Sequence, residues 1–199
     1  MRLVKLLGIG VTIAYLLSFA TIFVMNPQTF EEVEFLGITS FNLDGFKNQI
    51  QAEVFNYFLV GLLIIVFGVL LSIESKTNNL GRIGSYFISF SGLMWMSFSF
   101  FSLNPSSTEV VFGITHMIRI GLCWISGIVG LILVSVDFRK YYQLEVIKWI
   151  TLAVAILMLL EPVYYVINDY SGMISLIAWT IYMSWFFVFS IFIKSKVQT

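Results

Sequence analysis

Charge is what this sequence has least of. Lys, Arg, Asp and Glu make up only 11% of its 199 residues, against roughly 25% in an ordinary soluble domain. That scarcity excludes a water-soluble globular fold, and without a basic cluster no nucleic-acid surface is available. Cysteine occurs once, at Cys123 inside an apolar run, so an intrachain disulfide is excluded. The sole histidine, His116, cannot supply both axial ligands of a bis-histidine haem. Every lysine lies outside the apolar runs or at their ends, which excludes a retinal Schiff base. Proline occurs three times, and no Pro/Gly-rich linker divides the chain, so residues 1–199 read as one domain.

What fills the sequence instead is apolar: 59% of residues are hydrophobic. Six runs approach the ~20 residues needed to cross ~30 Å of hydrocarbon. They are Leu3–Met25, Val54–Ile73, Ile83–Leu103, Gly113–Val136, Val146–Ile167 and Gly172–Ile193. The first follows a short basic start as in a signal peptide, but it exceeds a 7–15-residue core and lacks a small-x-small cleavage site, so it reads as a retained helix. The expected fold is therefore all-α, an integral membrane bundle of six transmembrane helices.

Basic residues orient the bundle. Arg2, Lys5, Lys76, Arg82, Arg139, Lys140, Lys148, Lys194 and Lys196 flank one side and only Lys47 the other. The positive-inside rule then places both termini in the cytoplasm, as in a multi-pass protein of the plasma membrane. The outer side is acidic, with Glu31, Glu32, Glu34, Asp44, Glu53, Glu109 and Asp169. Most of that acid falls in the one long outer loop, 26–53, where Phe30, Phe35, Phe41 and Phe46 interleave with the charges. Such a loop is expected to lie at the membrane surface or cap the bundle, since exposed phenylalanines would otherwise form an apolar patch.

Two ionisable residues inside the fourth run require explanation, because a charge within a span costs several kcal/mol without a partner or water. At 100° per residue His116, Arg119, Cys123, Gly127 and Gly130 form one stripe. On the fifth helix Glu161, Tyr164, Tyr165 and Asn168 form another, polar only in its outer half. Counting 1.5 Å per residue from the outer ends places Arg119 ~9 Å and Glu161 ~10 Å deep. An Arg119–Glu161 ion pair is the expectation that follows. Glu53 and Asn56, at the outer start of the second helix, could reach the same layer, and Pro162 beside Glu161 should leave the Met158 carbonyl without its helical donor.

Known catalytic patterns are poorly matched. Ser89 and Ser91 could face His116, but no Gly-x-Ser-x-Gly-like signature surrounds them. His116, Cys123 and Glu161 span too much depth for a zinc site, so no metal is expected, and no cofactor either.

The motifs Asn26–Pro27, Glu34–Gly37, Phe55–Asn56 above Gly61, Phe101–Pro105, His116 and Asp137–Lys140 resemble the six-span membrane family catalogued as domain of unknown function 998. The resemblance covers most of the chain. It implies a polar site near His116 and Asn56 and supplies no activity.

The expectation is a polytopic membrane protein whose outer-leaflet polar pocket, built from His116, Arg119, Glu161, Asn56, Tyr165 and Glu53, binds or transports a small polar solute or a lipid headgroup. One alternative is an accessory or scaffold subunit, docked on a larger membrane partner, whose Arg–Glu pair is purely structural. Another is a membrane-embedded enzyme.

Overall fold

A computed structural model describes residues 2–25, 52–74, 79–100, 110–141, 145–168 and 172–193, with the backbone alone at 25, 74, 110–114, 138–141, 165–168 and 172–173. The loop 26–51, the Asn104–Pro105 turn and the Tyr165 side chain lie outside the described residues. Among them the fold is all-helical. Helix α1 spans Arg2–Met25, α2 Val60–Glu74, α3 Asn79–Ser97, α4 Val110–Tyr141, α5 Glu145–Asn168 and α6 Gly172–Phe192, and a π-helical segment, Ala52–Leu59, leads into α2. Five helices are long and apolar enough to cross a bilayer, α3 being the exception. Helices suit that setting because each satisfies its backbone hydrogen bonds internally, where lipid offers none.

Several boundaries differ from the sequence expectation: α3 starts at Asn79 rather than Ile83, and α4 runs Val110–Tyr141 rather than Gly113–Val136. The third helix ends at Ser97 rather than reaching Leu103, and its chain tightens into i→i+3 bonds from Phe98, Ser99 and Phe100 to Trp95, Met96 and Ser97 at 3.0–3.2 Å. At this end the Ser97 and Ser99 hydroxyls donate to the Met94 and Met96 carbonyls at 2.6 and 2.7 Å. The second run opens as a wider π-turn, whose i, i+5 spacing puts Ala52 and Tyr57 on one buried face.

Consecutive helices are neighbours, and α6 returns to pack on α1. The α1–α6 register is antiparallel: Gly8 lies against Ser190 and Phe186, Thr12 donates to the Met183 carbonyl at 2.6 Å, and the Tyr15 and Thr180 hydroxyls meet at 3.3 Å.

Side chains of α6 also reach the other helices. Phe67 of α2 packs edge-on to Trp185, Phe186 and Phe189. The Tyr182 hydroxyl meets Ser91 of α3 at 2.8 Å, Trp179 stacks on Trp124 of α4, and Trp185 Nε1 donates to Thr151 of α5 at 2.9 Å. Helix α6 is thus the post around which the bundle is built. Inside a bilayer lipid is as apolar as the core, so this contact and hydrogen bonding, rather than expulsion of water, hold the helices together.

Glycines of α2, α3 and α4 sit at close backbone approaches. A Cβ at Gly92 would stand 2.8 Å from the Gly61 carbonyl oxygen, and one at Gly130 would stand 2.9 Å from the Ile88 nitrogen. Helix α3 is therefore clasped on both sides, by α2 at Gly61–Gly92 and by α4 at Gly84–Gly130. Cys123 is buried, with Sγ 3.2 Å from the Ser91 carbonyl, and serves as a small packing residue.

Candidate functional site

The C-terminal half of α3 and the N-terminal half of α4 carry an aromatic wall. Tyr57, from the π-helical segment, lies 5.6 Å from Trp95 and 5.7 Å from Phe98, between ring centroids. Phe98 in turn lies 5.2 Å from the His116 imidazole. Deeper, Trp95 approaches Trp179 at 4.4 Å, and Trp179 stacks on Trp124 at 4.5 Å with planes 15° apart. Such contacts add roughly 0.5–1.5 kcal/mol per pair beyond area alone.

Two polar side chains beside these rings have no hydrogen bonds among the described residues. His116 is only 6% exposed and neither ring nitrogen has a partner. Asn56 is fully buried, and neither its amide nitrogen nor its side-chain oxygen is bonded. Its backbone is satisfied: the Asn56 carbonyl accepts from Trp95 Nε1 at 2.8 Å, a side-chain bond where the helix is widened. A buried polar group left without a partner costs about 1–3 kcal/mol. Each carries unused hydrogen-bonding capacity: imidazole has one donor and one acceptor when neutral, carboxamide two donors and an acceptor.

The remaining expected residues fall as follows. Arg119 is half-buried one turn below His116, and its Nε donates to the Thr115 carbonyl at 3.3 Å. Glu161 is half-buried on α5, with the Ser175 hydroxyl of α6 and the Trp124 indole of α4 nearby. These are its neighbours in place of the ion pair: among the described residues no salt bridge joins Arg119 to Glu161. Pro162 follows, and the helix continues through it to Asn168. Glu53 is half-buried in the first π-turn, and the backbone at Tyr165 is helical. No three His, Cys, Asp or Glu side chains converge into a metal-holding group among the described residues.

His116 thus packs on Phe98 and the Asn56 backbone is tied to Trp95, while Trp124 of the same aromatic group neighbours Glu161. The residues that build this wall, Trp95, Phe98, Trp124, Trp179 and Ser175, escaped the sequence reading. A signal existed: tryptophan favours the membrane interface, and Trp124 and Trp179 stand well inside apolar runs, where each indole N–H requires an acceptor.

No protein-family model matches the chain, and neither the curated proteins nor the solved structures offer a significant match.

Proposed function

We propose that the chain is a six-span protein of the plasma membrane, both termini cytoplasmic, whose outer-half polar pocket binds or moves a small polar solute or a lipid headgroup. The observation that carries this reading is His116, a buried imidazole with both nitrogens unmet among the described residues, packed on the aromatic group to which the backbone of an equally unmet Asn56 is tied. Retaining two such groups is unfavourable unless water or a ligand completes them. Arg119, Glu161, Glu53 and Tyr165 are the further residues assigned to the pocket. The sixth span is α3, whose Ile83, Tyr86, Phe87, Phe90 and Leu93 make an exposed apolar face suited to lipid. The basic flanks orient it.

Because His116 is the chain's single histidine, diethyl pyrocarbonate is a site-specific probe. In protein purified in a maltoside detergent, the ring should be carbethoxylated before unfolding, as mapped by peptide mass spectrometry. A ring that reacts only after denaturation means a dry, packed interior and removes the pocket.

A second reading, a scaffold subunit, is favoured by Glu161, which stands next to Trp124 of α4 and Ser175 of α6. It expects Glu161→Gln, which keeps an acceptor, to change stability by less than about 1 kcal/mol, and Glu161→Leu to lose about 1–3 kcal/mol for each donor left without one. Chemical denaturation in mixed micelles measures both. A leucine variant as stable as the parent leaves no structural role for the carboxylate.

A further inference from the structure

We infer that one face of α5 docks a transmembrane helix of a different membrane protein, one that carries a lysine or arginine level with Glu161; the assignment rests on the scaffold reading and names its docking face and partner class. Helix α5 is the barest of the five candidate spans. Only 28% of it is buried, against 39–50% of the other four. Val146, Ile150, Ala153, Leu157, Leu160 and Tyr164 follow one another at spacings of four and three, so they line one face. Val146, Leu157, Leu160 and Tyr164 are 42–61% exposed, and Ala153 is small enough to let a neighbouring backbone approach.

Charge selects the partner. At 100° per residue Glu161 lies about 40° round the helix from Leu157 and about 60° from Tyr164, on the border between this bare face and the buried one that holds Val154 and Met158. Positions flanking a helix–helix seam are where interhelical charge pairs form. Ser175 and Trp124 are nearby, but each brings one neutral donor, whereas an ionised carboxylate has about four acceptor sites. Among the described residues no Lys, Arg or His forms an ion pair with Glu161. An ionisable group in an apolar span is retained where it meets a partner, and a basic side chain on the docking helix supplies the missing charge.

A second copy of this chain does not fit. Copies inserted the same way would lay α5 parallel to α5 and bring the two Glu161 carboxylates to one level, where like charges repel. The positions flanking the other side of the face, Leu152 and Leu159, are apolar. Lys148, the single basic residue of α5, stands ~20 Å along the axis from Glu161.

The test places the photoreactive residue p-benzoylphenylalanine at Leu160, at Phe90 of α3 or at Leu17 of α1, each exposed, in the full chain in the membranes of its own cells. Every cross-linked product is identified by mass spectrometry. Leu160 should capture one membrane protein, through an apolar span that carries a lysine or arginine. Glu161→Gln should lower that capture at least about tenfold and Glu161→Asp should retain most of it, each variant checked by its abundance and melting temperature. Glu161→Arg should lose the partner and regain it when the partner's basic residue is replaced by glutamate, an exchange that a misfolded variant does not reproduce. Capture of a second copy, of a protein whose span has no basic residue, or of any protein equally well by Glu161→Gln overturns the docking face. A protein captured from Phe90 or Leu17 and not from Leu160 also overturns it, while leaving the scaffold reading standing. Lipid alone at all three positions removes the scaffold reading and this inference together.

Discussion

Alanine at Gly84 or Gly130 is expected to destabilise the protein by about 1–3 kcal/mol each, the usual range for forcing a methyl into a filled interior. At both positions the obstacle is backbone. A Cβ at Gly84 would meet the Gly130 carbonyl oxygen at 2.9 Å and the Val134 nitrogen at 2.9 Å; one at Gly130 would meet the Ile88 nitrogen at 2.9 Å and the Gly84 carbonyl oxygen at 3.0 Å. No rotamer change relieves such contacts, so α3 and α4 must move apart. Separation by the first methyl makes room for the second, so the double variant should lose less than the sum of the two. Thermal unfolding of the detergent-solubilised protein measures this. Gly10 and Gly121 supply the control, since a Cβ there meets nothing within 4 Å. Alanine at those sites should be neutral or gain up to about 1 kcal/mol from helix propensity. Equal behaviour of the two sets would remove the close crossing of α3 and α4.

Trp179→Ala is expected to lose about 3–5 kcal/mol, the range for truncating a buried large aromatic. The side chain is 3% exposed and lies between Trp95 and Trp124. Its loss removes a face from each neighbour, and each neighbour meets a polar residue of the candidate site: Trp95 donates to the Asn56 carbonyl, and Trp124 neighbours Glu161. The damage should therefore extend beyond stability to a faster reaction of His116 with diethyl pyrocarbonate. Trp179→Phe, which keeps an aromatic face, should lose less on both counts. A stable Trp179→Ala variant with the parent rate of His116 modification would mean that the wall does not hold the site.

The sequence was most legible where the bilayer imposes its own rule. Runs of about twenty apolar residues located the helices, and Ser97 marks where the third ends before its apolar run does. His116 stood out for the same reason, as a polar side chain in apolar surroundings, and Asn56 for its place at an outer helix start. Residue counts along the helices make Arg119 and Glu161 level, but rotation and the identity of intervening side chains were not readable. Trp124 and Ser175 neighbour the carboxylate, and nothing in a helix that is apolar all round says which residue faces it. The central position of α6 was hidden likewise: aromatic residues crowd several of its sides, so no stripe pointed inward. The π-turn at Asn56 left no mark, since its residues suit an ordinary helix equally well.

The post at the centre of the bundle is made after the five helices it packs against. Val4, Val11 and Tyr15 of α1 are covered in the finished protein, and the bonds from Thr12 to Met183 and from Tyr15 to Thr180 join residues 171 and 165 positions apart. Until α6 inserts, Phe67, Trp95, Trp124 and Thr151 on four earlier helices also lack the side chains they close upon. The close approaches of α2, α3 and α4 at Gly61–Gly92 and Gly84–Gly130 do not involve α6, whereas the surfaces that close on α6 stay open until it inserts, and a chain cut short of α6 would lack them.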